Sequence, residues 1–187
     1  MFNNKIYANL IKDKEITSIN QVWCADITYI RILNGFVYLS AIIDIYPRKI
    51  VGYAIGKTLS PKLAIAALNM AIATRNTDNL IHHSDRGIQY TCKGYIKILR
   101  DKGIGISMSR KGNPYDNAFA ESLIKTIKQE EVYLWQYETF SDVLERIPYF
   151  IEDVYNRKRL HSSLGYRPPE EYERLLAENS SRECMVC

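Results

Sequence analysis

A chain of 187 residues, 47% apolar and 25% charged, has enough core-forming material for one packed domain plus extensions and is not a disordered or low-complexity chain. Its net charge of +4 permits a nucleic-acid partner without demanding one. No apolar run approaches the ~20 residues of a membrane span, and Met1-Phe2-Asn3-Asn4-Lys5 lacks a signal-peptide core. The 4 cysteines show no disulfide framework, and the terminal Cys184-x-x-Cys187 has no second pair to complete a zinc site. A reducing, cytoplasmic setting is expected.

Residues 1–20 are polar and weakly patterned and are expected to form a lead-in arm. Trp23 to Ile32 is rich in β-branched and aromatic residues and predicts a strand. Leu33-Asn34-Gly35 carries an Asn-Gly hairpin signal, and Phe36 to Ile45 predicts a second, central strand. After the turn Tyr46-Pro47-Arg48-Lys49, Ile50 to Gly56 predicts a third. The period then changes. Ser60 as N-cap and Pro61 at the first position start a helix whose Ala-rich body runs to Ala73. Leu80 to Ser84 predicts a short strand, and Thr91 to Lys102 an amphipathic helix with Tyr95, Ile96 and Leu99 inward. Gly103 to Met108 gives a fifth strand.

Ser109 to Tyr115 is a Gly/Pro-punctuated loop, and Asp116 can cap a helix reaching Lys128. A further helix is expected from Ser141 to about Tyr155, with Pro148 as a kink or a boundary, and a last one from Glu170 to Ala177. This order predicts an α/β ribonuclease-H-like fold: a five-stranded mixed sheet, three antiparallel strands then two parallel, flanked by helices. Residues 21–140 form the expected core, and residues 141–187 a helical extension with a basic segment.

Three separated acids carry the chemistry. Asp26 lies in the first strand, Asp85 closes the fourth, and Glu121 rides the helix after the loop; 35 residues separate Asp85 from Glu121. On that helix Phe119, Ala120, Leu123, Ile124 and Ile127 make an apolar stripe, while Glu121, Lys125 and Lys128 share the opposite face. A surface i,i+4 Glu–Lys pair would give the same spacing. Hard oxygen ligands at three positions suit a pair of divalent ions, which can activate a nucleophile and neutralise charge at a phosphodiester. Asp26 would bridge, with Asp85 and Glu121 completing the two metal positions.

Four motifs then become recognisable: Trp23-x-x-Asp26-Ile27-Thr28-Tyr29-Ile30, His83-Ser84-Asp85-Arg86-Gly87-x-Gln89-Tyr90, the run from Ser107 to Asn117-Ala118-x-x-Glu121-Ser122, and Tyr155-Asn156-x-x-Arg159-x-His161-Ser162-Ser163-Leu164-Gly165-Tyr166-x-Pro168. Together they resemble the catalytic region of insertion-sequence transposases of the IS3 group, which share a DD(35)E core with retroviral integrases. The resemblance covers roughly residues 20–175. It implies two Mg²⁺ (or Mn²⁺) ions held by Asp26, Asp85 and Glu121, with Lys125 and Lys128 gripping the DNA end. The reaction implied is strand cleavage followed by attack of the freed 3′-hydroxyl on another phosphodiester, and the partners are element and target DNA and a homodimer or larger assembly. No membrane partner is expected.

Arg110 and Lys111 on the loop, and Arg157, Lys158 and Arg159 in the tail, are further phosphate-binding candidates; His83 and Asn117 are candidates for orienting the acids. His82 and His83 face opposite ways, so at most one points at the site. Asp44 is expected to pair with Arg48 or Lys49, or less simply to join Asp26 across the hairpin. Trp23 is expected in the core. Such transposases carry an upstream helix-turn-helix region, and only about 20 residues precede the first strand. The chain is therefore expected to be a fragment, an isolated catalytic domain or the product of a decayed element. Two rival readings are a non-catalytic DNA-binding relic that modulates an active transposase, and a ribonuclease-H-type nuclease.

Overall fold

The computed structural model describes residues 6–110 and 117–184, with side chains through residue 179. The five strands are β1 (Val22–Ile32), β2 (Gly35–Asp44), β3 (Lys49–Gly56), β4 (Ile81–Ser84) and β5 (Gly105–Met108), ordered β3-β2-β1-β4-β5. The pairs β1–β2 and β2–β3 are antiparallel, and β1–β4 and β4–β5 are parallel. This is the ribonuclease-H-like arrangement expected, with β1 inside the sheet and paired on both edges.

Alternation along β1 sorts its side chains into two cores. Trp23 and Ala25 face α1 (Pro61–Thr74) and, past the short α2 (Ile88–Thr91), α3 (Lys93–Asp101), meeting Ala67, Leu68, Tyr95 and Leu99. Val22, Cys24 and Ile30 face α4 (Ala118–Ile127) and α5 (Phe140–Tyr149), meeting Leu123, Ile127, Val143 and Ile147. Asp26, in phase with Cys24, falls on the α4 side. Trp23 is fully buried, as expected.

Several local features depart from the sequence reading. The hairpin loop is Leu33-Asn34, because Ile32 pairs with Gly35. Gly35 takes φ +120° while Asn34 stays out of the positive-φ region, so the Asn-Gly pair is displaced by one position from a two-residue primed turn. Ser60 precedes Pro61 but makes no side-chain cap bond. Instead of starting at Thr91, α3 begins after Cys92, whose sulfur accepts from the Tyr95 amide.

Helix α4 passes into a π segment at Lys128–Val132, and α5 does so at Phe150–Asn156. Pro148 lies within α5, two residues before that second switch, where its missing N–H weakens the α ladder. Helix α6 (Pro169–Cys184) is longer than expected. Asp116, the expected cap of α4, is outside the described residues, as is Cys187; Cys184 is placed by backbone alone.

The arm is seated on the domain. The Met108 amide donates to Ala8 O and the Leu10 amide to Ser107 Oγ, beside β5. Asn156, in the tail motif, docks the C-terminal segment on β3: its Oδ1 accepts from the Ile50 amide at 3.0 Å and its Nδ2 donates to Ile50 O at 3.0 Å. No helix among the described residues is long and apolar enough to cross a membrane.

Helix α1 lies close on the sheet because position 52 is glycine. A Cβ there would collide with Ala67 O and sit 2.9 Å from Ala71 Cβ. Gly52→Ala is expected to destabilise the domain by about 1–3 kcal/mol, read as a lower urea midpoint with an unchanged m-value.

Candidate active site

The β1–β4 register positions two of the three acids. Cys24 stands opposite His83 on the neighbouring parallel strand, the last rung of that pairing. Asp26 and Asp85 each lie two residues beyond it, so alternation carries both back to the same side of the sheet. Asp26 Oδ1 accepts from the Ile27 amide at 2.7 Å. Asp85 Oδ1 accepts from the Gly87 amide at 2.8 Å in a tight turn, and a Cβ at position 87 would lie 2.9 Å from that oxygen.

The third acid comes from α4. Its buried stripe, Ala120, Leu123, Ile124 and Ile127, packs on the sheet and leaves Glu121 and Lys125 exposed on the other face. Glu121, Lys125 and Lys128 line one cleft of about 380 Å³ together with Asp26 and Tyr133. Burial pushes the Asp26 carboxyl up to about 6. The Ile27 amide and Lys128 pull it down, and the charges of Asp85 and Glu121 push it further up. Asp26 thus feels both of the other carboxylates, with two lysines on the wall that carries Glu121. Lys128 also sits over the Tyr29 ring, 4.5 Å from its centroid. Neither lysine forms an ion pair among the described residues.

No three His, Cys, Asp or Glu side chains among the described residues are already gathered as a metal cage. The donor set nevertheless fits a hard divalent cation: carboxylate oxygens from β1, the end of β4 and α4, with mutual repulsion that a cation would relieve. Asn117, at the start of α4, adds a link to β1. Its Nδ2 donates to Ala25 O at 3.3 Å, next to Asp26, while its buried Oδ1 has no hydrogen-bond partner among the described residues.

The histidines divide as alternation requires. His82 faces α3, where its Nε2 meets Tyr95 Oη at 2.9 Å, and burial lowers its pKa to about 3, so it is neutral. His83 faces the other way, but its ring nitrogens engage Ser107 Oγ at 2.7 Å and Ser109 Oγ at 3.2 Å. It braces β4 against β5 rather than reaching towards a ligand.

Asp44 has neither of its expected partnerships. The register sets Asp26 opposite Ala41 and Asp44 opposite Trp23, three residues further along β2 and on the other face. Its carboxylate accepts from the Asn20 amide at 2.7 Å and from Arg75 Nη2 at 3.2 Å, and Arg75 also pairs with Glu173. Arg48 and Lys49 point elsewhere: Arg48 over the Phe119 ring and Lys49 to Glu173.

Arg110 is exposed just after β5, and Lys111 lies outside the described residues. The tail arginines are not brought to the cleft. Arg157 pairs with Asp153 at 2.9 Å and Glu170 at 3.0 Å, and Arg159 with Glu130 at 2.8 Å. Arg159 instead borders a separate polar depression on the far side of α4, with Arg48, Ser122 and His161.

Residues that sequence reasoning passed over are aromatic. Tyr29, Phe36, Tyr133 and Trp135 line a groove that adjoins the cleft and shares Lys128 and Tyr133 with it. The signal was present in the run Tyr133-Leu134-Trp135-Gln136-Tyr137, too aromatic for an ordinary connection between helices.

The chain is similar to known proteins in both sequence and fold. Two profiles described as integrase core domain match the chain, over residues 17–114 and 102–169. The chain is 42% identical over 159 residues to the transposase for insertion sequence element IS904 of Lactococcus lactis subsp. lactis (strain IL1403), covering 84% of this chain and 63% of the relative. It thus spans about three fifths of the length of the curated relatives it matches. Among solved structures it is similar to the catalytic core domain of BIV integrase, with TM-score 0.62 and 18% identity over 87% of this chain and 99% of that one. It is also similar to the HTLV-2 integrase catalytic core domain in complex with magnesium, with TM-score 0.61 and 12% identity over 82% and 95%.

Asp26 is pushed up to about 6 from an ordinary 3.8, so ionising it costs the folded state more than the unfolded chain. Without divalent ions, wild-type stability should be greatest below about pH 4 with respect to this group, and fall as pH rises through about 6. Asp26→Asn removes that loss. In EDTA at pH 7 the variant should be more stable by roughly 1–3 kcal/mol, with the gap closing below about pH 4. Urea melts across pH check this; a variant less stable than wild type at pH 7 contradicts it.

Proposed function

This chain belongs to the integrase core domain family, and we propose that it cleaves and joins DNA strands during transposition of an insertion element. The observation that carries the reading is the shared cleft, which Asp26 lines from β1 and Glu121, Lys125 and Lys128 line from one helix face, while the Asp85 charge acts on Asp26. Asp26, Asp85 and Glu121 would hold two Mg²⁺ or Mn²⁺ ions. Bound there, the ions supply an activated oxygen nucleophile and charge neutralisation at phosphorus.

The protein's own residues do the rest. Lys125 and Lys128 grip phosphates flanking the scissile bond without reading sequence. Asn117 holds the start of α4 against β1, keeping Glu121 in reach of Asp26, and His83 steadies the end of β4 below Asp85. Arg110 and Lys111 would contact DNA from the loop before α4. Arg157 and Arg159 would do so only after exchanging their carboxylate partners for phosphate. Residues 21–140 form the catalytic unit, preceded by the 1–20 arm and followed by the 141–187 extension. Joining two element ends requires a dimer or larger assembly, working in the bacterial cytoplasm at the nucleoid.

The test incubates the protein with Mn²⁺ and a labelled duplex carrying candidate element ends, beside an RNA–DNA hybrid. Metal-dependent nicking or joining of the duplex is expected, and Glu121→Gln should abolish it. Binding without cleavage would instead mark an inactive relic, and cutting of the hybrid alone a ribonuclease. Lys125→Ala and Lys128→Ala should each weaken duplex binding across sequences and flatten the slope of log affinity against log salt by about 1.

A further inference from the structure

We propose that the aromatic groove beside the cleft is a stacking site for unpaired nucleobases, holding bases of a strand whose backbone enters the acidic cleft. The inference rests on the reading of that cleft as a DNA site. The groove encloses about 920 Å³, and Tyr29, Phe36, Tyr133 and Trp135 in its wall are each at least half exposed. Four large aromatic rings left in water around one hollow are costly unless something covers them.

The rings are held, not loose. Trp135 is 50% exposed, with one face stacked on the Arg146 guanidinium, 3.5 Å from the ring centroid. Arg146 is itself fixed: Glu131, only 4% exposed, accepts from its Nε at 2.8 Å and from Tyr137 Oη at 2.8 Å. Trp135 therefore has one ring face supplied by the protein and one left to the groove. Across from it, Tyr29 packs edge-on against Phe36, centroids 5.3 Å apart, beneath Lys128.

Charge decides between occupants. The charged side chains in the groove wall are Arg31 and Lys128, both cationic, and neither forms an ion pair among the described residues. Aromatic faces interleaved with cations are the surface that single-stranded nucleic acid requires, with bases on the rings and phosphates on the cations. Because Lys128 and Tyr133 belong to both hollows, a strand with its phosphate beside Lys128 has its next bases at the rings. Duplex bases are already stacked on one another and gain nothing there. The site thus favours frayed or forked DNA ends.

The test measures affinity in EDTA for a labelled blunt duplex and for the same duplex with a short single-stranded fork. The fork should bind roughly ten-fold more tightly, the worth of about one stacked base. It should quench tryptophan emission saturably, because Trp23 is fully buried and Trp135 is the only other tryptophan. Trp135→Leu, at a ring that lines the groove and not the cleft, should reduce fork affinity to that of the blunt duplex, while blunt affinity and thermal midpoint stay close to wild type. Equal affinity for the two DNAs overturns the proposal, as does quenching by the blunt duplex alone. So does quenching that grows with protein concentration without DNA, which would make the groove an interface between copies. With no metal in the assay, these outcomes are independent of cleavage: a protein that nicks duplex DNA but ignores the fork sinks this inference alone.

Discussion

The parallel pairing of β1 with β4, ending at Cys24 opposite His83, is the constraint on which the candidate site depends. Two acids 59 positions apart in the chain become neighbours because each lies two residues past that rung. A one-residue slip would turn one of them to the opposite face, into the core with Trp23 and Tyr95. Strand β4 is itself secured from both sides. His82 bonds Tyr95 on one face, and His83 bonds Ser107 and Ser109 on the other. The adjacent histidines thus tie β4 to α3 on one face and to the end of β5 on the other.

Like charge is gathered on this framework at a cost. Asp26 is largely withdrawn from water beside two further carboxylates, an arrangement with no structural benefit of its own. The contrast with Asp44 shows what a structural acid looks like in the same sheet. Asp44 is also buried and also pushed up to about 6, yet it has two backbone donors and Arg75 at hand. Asp26 has one backbone donor and a more distant lysine. Functional sites are where such under-compensated, perturbed groups collect.

The strands, their order and the three acids were legible because each has a strong local signal. Alternation and β-branching mark the strands, and the apolar stripe of α4 fixes which way Glu121 points. The partners of Asp44 were not legible. They depend on the exit of α1, which brings Arg75 alongside residues 31 positions earlier in the chain, and no local pattern encodes that. Arg157 and Arg159 read as a basic patch because sequence shows charge but not pairing; Asp153, Glu170 and Glu130 meet them only in the fold. The hairpin signal was correct in kind and wrong by one residue, since Gly35 takes up the positive φ as the first residue of β2.

The π turn after α4 was the least legible element and explains why cleft and groove meet. An α-helix advances about 100° per residue. Continued past Lys128, it would aim Val132 along the line of Lys125 into the cleft, and Tyr133 towards Ser122 on another side. The Tyr133 amide instead donates to Lys128 O, five residues back, at 2.8 Å. The extra residue in that turn sets everything after it back by about one position. Val132 is thereby rotated into the core and Tyr133 takes the cleft-facing direction. Glu131, bonded to Arg146 and Tyr137, anchors the widened turn from inside. The same carboxylate that holds this turn also holds the arginine beneath Trp135, so one buried acid sets both the ring that closes the cleft and the ring that floors the groove.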